Sequence, residues 1–356
     1  NNTAVGRAAS DANTSGTDTT SLGAYALSAN TTGSYNVALG SFSLYSNTTG
    51  IENTAVGYKS LYANTTGTQN TAVGSQALLD NTADNNTAVG YLSLNNNTTG
   101  AANVSVGRIS MSANTTGTNN TALGEATLYY NTTGGSNTAV GARSLFNNTT
   151  SYYNTAVAQS ALYSNTTGIS NTALGYQSLF SNTTASDNTA VGYRAAYSNT
   201  TGFKNTAIGQ GALEDNTTGD NLTAIGQAAL GDNTTANDNT AVGKSALRAN
   251  TTGTANTAIG YLSLGGNTTA SYNTTVGYQA GYTGGGAGIV AIGYKALFAN
   301  TNANNVGVGN QALVANTSGS SNVALGHHTL FSNTTASGNT ALGYQALRDT
   351  TGTGNT

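Results

Sequence analysis

The chain has 356 residues, of which 6% are charged, a formal net charge of −3, and no cysteine. So few and so balanced charges leave no electrostatic footprint for nucleic acid or an anionic membrane. Without cysteine there is neither a disulfide framework nor a thiolate metal site, and no apolar run approaches the ~18 residues of a membrane-spanning helix.

The organising feature is a repeat. Asn53-Thr54-Ala55-Val56-Gly57 opens a unit that begins again at Asn70-Thr71-Ala72-Val73-Gly74. Taking the closing glycine as position zero, the column runs from Gly6 to Gly343 in 21 units, broken only by Ala158; 17 of the 20 intervals are 17 residues and three are 16. A period this short and strict predicts an all-β fold, a parallel β-solenoid of about 21 coils with one repeat per coil. Each coil buries its apolar face by stacking on the next. Residues 1–356 read as one continuous array with a local irregularity at 281–288. At ~4.8 Å per coil the expected rod is on the order of 100 Å. The stretch begins at Asn1 and ends at Thr356, both within a repeat, with Met111 its sole methionine. Any leader, anchor, stalk or assembly domain is expected outside it.

Taken in order, each unit starts with a short strand. Position −3 is Thr in sixteen units and Val in five, and position −1 is always Val, Leu or Ile. At strand period these share a face, which is read as core. The residue between them is Ala in seventeen units and otherwise Ser21, Ser105, Thr275 or Gly307. A solvent-facing position would vary more, so this face is expected to be buried against a second copy of the chain. Ala55, Ala72, Ala88, Ala122, Ala139, Ala156, Ala173 and Ala190 are the self-association candidates. Beyond the glycine, position +3 is Ala, Ser or Thr. Position +4 is Leu in seventeen units, a second core residue expected to face the Val/Leu/Ile column.

The charged residues fall only at +1, +2, +5, +6, +10, +11 and +12, where desolvation is avoided. Aromatic residues at +1 (Tyr58, Tyr91, Tyr176) and +5 (Tyr62, Phe146, Tyr163) accompany them, and stacked coils would align these as outer ladders. Two asparagine columns punctuate the unit, one before the strand (Asn53, Asn70, Asn86) and one at +7 (Asn64, Asn97, Asn114). Both suit turns, where Asn tolerates left-handed backbone, and identical amides one coil apart can bond along the stack. In seventeen of the +7 turns the triplet is also an Asn-x-Ser/Thr glycan acceptor. These are Asn13, Asn30, Asn47, Asn64, Asn97, Asn114, Asn131, Asn148, Asn165, Asn182, Asn199, Asn216, Asn233, Asn250, Asn267, Asn316 and Asn333.

Catalytic signals are weak. His327-His328, read as strand neighbours on opposite faces, cannot chelate together. Glu214, Asp215 and Asp232 have no nucleophile to serve. Gly307-x-Gly309-x-x-Ala312 matches a dinucleotide fingerprint only as a by-product of the repeat. The expectation is no enzyme, no cofactor and no metal site.

The Asn-Thr-Ala-Val-Gly strand followed by x-x-Ala/Ser-Leu resembles the head repeats of trimeric autotransporter adhesins. The run Gly-Tyr-Gln-Ser-Leu-Phe-Ser-Asn-Thr-Thr at 175–184 is similar to repeats of bacterial surface and tail-fibre-like proteins that end in a self-cleaving chaperone domain. The resemblance covers the whole chain and implies a left-handed β-roll with three chains around one axis, displayed on a cell or virus surface. The expected function is therefore an extracellular fibre or adhesin shaft. Its partner is itself, as a homo-trimer or end-to-end filament, with attached or bound glycans as further candidates. The alternative is a solenoid that binds carbohydrate, ice or another crystal surface through its Thr, Asn and Tyr columns. On this reading the strand threonines point into the core, leaving that role to the turn threonines.

Overall fold

The computed structural model describes residues 1–356 and contains no helix. It is a parallel β-solenoid. Twenty-one strands of three residues each, from β1 (Thr3–Val5) to β21 (Thr340–Leu342), occupy positions −3 to −1 of the 21 units. The coils group into two compact units, Asn1–Gln177 and Ser178–Thr356. In the first, each strand from β1 to β11 (Thr172–Leu174) pairs in parallel with its successor; in the second the same holds from β12 (Thr189–Val191) to β21. Register is held residue for residue, Thr54 on Thr71, Ala55 on Ala72 and Val56 on Val73. It survives the 16-residue intervals too, Ala72 facing Ala88, because the missing residue is taken from the turn.

The strand faces are the reverse of the sequence expectation. The central small residue is buried in every strand after the first, and its neighbours at −3 and −1 are half-buried or exposed in all of them. Ala55, Ala72, Ala88, Ala122, Ala139, Ala156, Ala173 and Ala190 have no accessible surface within their own chain. No second copy can reach them, so they are core residues and not a self-association face. The cause is the narrowness of the coil. A Cβ added to Gly307, in the small column, would lie 3.0 Å from Leu297 Cγ, and one added to Gly281, in the leucine column, would lie 2.9 Å from Thr275 Cγ2. Positions −2 and +4 therefore meet across the interior, which admits one methyl group opposite one leucine. The largest fully buried side chains are almost all the +4 residues, such as Leu27, Leu44, Leu61 and Met111. These pack against alanine and not against the Val/Leu/Ile column.

Backbone conformation explains two further columns. The +4 leucines adopt left-handed φ, for example 51° at Leu61 and 49° at Leu128, a region closed to β-branched residues. None occurs there: the exceptions to leucine are Ser10, Met111, Ala196 and Gly281. At position zero φ is +128° at Gly57, and a Cβ there would meet the carbonyl oxygen of Gly74 at 2.7 Å. Glycine is favoured on both counts, Ala158 being the one exception.

Candidate functional site

The surface that repeats from rung to rung within each unit is the outward face of the strands. Column −1 keeps substantial exposure deep within the stacks, 38% at Ile208 and 39% at Ile259, with threonine two residues away on the same face. Neither column contains a charge. Within each unit the rungs are in register, so the face of each is a two-column lattice of β-branched methyls, hydroxyls and aliphatic side chains. The sequence reading missed it by turning these residues inward.

Aromatic side chains form the outer ladders expected of them. Tyr261, Tyr278 and Tyr294 stack with centroids 5.2 and 5.4 Å apart, and Tyr129, Phe146 and Tyr163 at 5.4 and 5.1 Å. Within such a run each inner ring face is covered by the next ring, leaving edges to solvent, whereas Tyr58 and Tyr91 have no ring above or below them in their column and stay about half exposed. Inside these runs no flat platform is left on which a sugar would stack. Lys59 lies over Tyr58 and Tyr62, at 5.5 and 5.3 Å from their centroids, and extends the ladder as a cation–π contact.

The asparagine columns are inside. Asn53 Nδ2 donates to the Gly67 carbonyl at 2.8 Å, and the Asn53 backbone N–H donates to Asn36 Oδ1 at 2.9 Å. Asn64 Nδ2 donates to the same Gly67 carbonyl and to Asn47 Oδ1, both at 3.0 Å. Two amide ladders thus converge on one turn. Beside them, the next threonine donates from Oγ1 to the backbone of the following coil, as Thr48 does to Thr65 at 3.0 Å. These asparagines do not take the left-handed φ expected of turn residues; positions +2, +4 and +12 do. Sixteen of the seventeen glycan-acceptor asparagines are 0 or 1% exposed, Asn13 in the first turn being half-buried.

The ladders have defects. Thr19, Leu222 and Ile289 replace asparagine before the strand. At the glycine-rich turn 282–288, Gly284 stands where the ladder amide belongs, and Asn267 Oδ1 and Asn273 Nδ2 are left buried without partners. Asn64 Oδ1 is left in the same state beside the shortened turn at Asn81. The ladder resumes at once, because Asn81 Oδ1 accepts from both Asn86 and Asn97.

Ionisable groups are scattered, and no three His, Cys, Asp or Glu side chains come together as a metal site would need. Arg108 pairs with Glu125 and holds its carboxyl below the usual range. Glu214 pairs with Arg194 at 2.9 Å, not with Asp232. His327 and His328 correct the sequence reading: they follow the strand at 323–325 in a turn, and their rings stack with centroids 3.8 Å apart. Burial, then His327, then Arg348 push the His328 pKa down from its ordinary value. Gly307 and Gly309 lie on β19 (Val306–Val308) and in the turn after it, with no helix to cradle a dinucleotide.

No protein-family model matches the chain, and no curated protein matches it either.

Proposed function

We propose that this chain is a structural repeat protein, a segment of an extracellular fibre or adhesin shaft, in which copies associate through the outward strand face. The observation that carries the reading is that face itself, uncharged, aliphatic, and identical in period from coil to coil. A second copy offers the one partner surface certain to share that period over many rungs. A standard interface buries about 800 Å² per partner, and the eleven strands of the first unit each add two partly exposed residues to this face. A trimer around the face would bury it from three sides, and the stacked tyrosines and lysines would remain outside.

A second reading gains from the same observation. The strand threonines point outward, so an ordered row of methyls and hydroxyls is available to a crystal surface such as ice. The two readings compete for one face. Sedimentation of the purified chain separates them from a plain monomer. The fibre reading expects a discrete oligomer that Val56→Lys with Val73→Lys and Val89→Lys reduces to monomer. The ice reading expects a monomer with measurable thermal hysteresis. A monomer without hysteresis would remove both.

A further inference from the structure

Asn64 uses both hydrogens of its Nδ2, one on the Gly67 carbonyl and one on Asn47 Oδ1. Fourteen of the seventeen acceptor asparagines show the same pair of bonds. Glycan attachment forms a bond from this nitrogen to the anomeric carbon of the sugar. The amide loses one hydrogen as a proton, and the carrier diphosphate departs with the electrons of its C–O bond. One ladder bond is lost at each modified rung, and a sugar ring must enter a site with no accessible surface. We infer that Asn-linked glycosylation of the +7 column and folding of the solenoid exclude one another, so that the chain closes its coils out of reach of any transferase acting on Asn-x-Ser/Thr.

The same sequence holds acceptor triplets that the fold leaves open. Asn85-Asn86-Thr87, Asn96-Asn97-Thr98, Asn119-Asn120-Thr121 and Asn221-Leu222-Thr223 each begin with an exposed asparagine. Asn221 Nδ2 has only a 3.3 Å contact to Asp238, and Asn119 a 3.4 Å contact to Thr118. A sugar on these four projects into solvent and leaves both ladders intact. The distinction is therefore between two sets of identical motifs, one lethal to the fold and one neutral.

The test is to direct the full chain through the secretory pathway of a eukaryotic host, with and without an inhibitor of lipid-linked sugar assembly. The product is divided by resistance to a broad-specificity protease, and glycopeptides are mapped in each fraction. Resistant chains are expected to carry sugar at Asn85, Asn96, Asn119 or Asn221 and none in the +7 column, and the inhibitor is expected to move sensitive chains into the resistant fraction. A second variant replaces the outward threonines at +9, Thr49, Thr66, Thr99 and their equivalents, by alanine. It keeps every ladder asparagine, loses the acceptor motif of the +7 column while Asn103-Val104-Ser105 and Asn273-Thr274-Thr275 keep theirs, and is expected to be more resistant than the unaltered chain without inhibitor. Sugar on Asn64-type residues in resistant chains, or a sensitive fraction that neither inhibitor nor variant reduces, would overturn the inference.

Discussion

At Ala158 the glycine column has its single methyl group, held at φ +112° where glycine elsewhere in the column sits between +114° and +139°. Gly141, its neighbour one coil back, supplies the +114° and is the other outlier. Both lie at the low edge of the column's range, and Ala158 holds a side chain at a φ that L residues rarely adopt. Strain of this kind costs on the order of 1–3 kcal/mol, against about 0.4–1 kcal/mol of extra unfolded-state entropy for a glycine. Strain wins, so Ala158→Gly is expected to stabilise this region by about 1 kcal/mol. Long arrays do not unfold in one step, so the measurement is hydrogen exchange at the amides of coils 141–175, which should slow. His328 gives a second residue-scale expectation. Its folded pKa lies below the ordinary 6.5, so the unfolded chain takes up the proton first. Its contribution is present above pH ~6.5 and is lost as pH falls through that value toward the folded pKa. Exchange around residues 323–347 should accelerate between pH 7 and 5, and His328→Gln should flatten that dependence.

The coil is the natural unit of compensation. One coil carries Thr275 where others have alanine and Gly281 where others have leucine, and the two face each other across the interior. Volume gained on one wall is removed from the other. Thr275→Ala alone should open a void and strip Ser263 Oγ of its 2.7 Å partner, while Gly281→Leu alone should clash with Thr275 Cγ2. Each is expected to cost about 1–3 kcal/mol. Together they recreate the common Ala–Leu pair, and the double variant should recover most of the loss as a coupling of about 1–2 kcal/mol, read by a double-mutant cycle on local exchange. Such pairs also show what the sequence disclosed and what it withheld. Strand position, parallel register and coil period followed from the glycine column alone. The orientation of the strand did not, because alternation defines two faces without saying which is inner. Size carried that information: a position that is always small faces the narrow interior, and the bulkier Thr and Val/Leu/Ile columns are the ones with room outside. The asparagines were legible as amide ladders along the stack, but their complete burial was not. Asn-Thr-Thr reads equally as an exposed acceptor or as a buried amide ladder, and the structure shows the ladder at nearly every rung.

For the whole molecule, two adjacent positions in one strand separate folding from association. Ala55 is enclosed, and Val56 is half-exposed on the outward face. A carboxylate at Ala55 would be buried opposite leucine with no cation near, a cost of several kcal/mol. Ala55→Glu should therefore disrupt its coil at every protein concentration, with circular dichroism losing β signal and cooperativity. Val56→Glu meets water and leaves the single-chain ladder intact. Lys59→Glu, outside both faces, should be nearly neutral apart from its contacts with Tyr58 and Tyr62. If copies pair through the outward face, association stabilises the folded state by mass action, and the melting midpoint rises with concentration. The decisive comparison is that rise in wild type against Val56→Glu with Val89→Glu, placed two rungs apart so that the carboxylates are not register partners within one chain. The variant should match wild type in dilute solution and lose the concentration dependence, because like charges would face one another across each rung of the interface. A variant that melts early even when dilute would make the outward face a requirement of the single chain, and association would then rest on other columns.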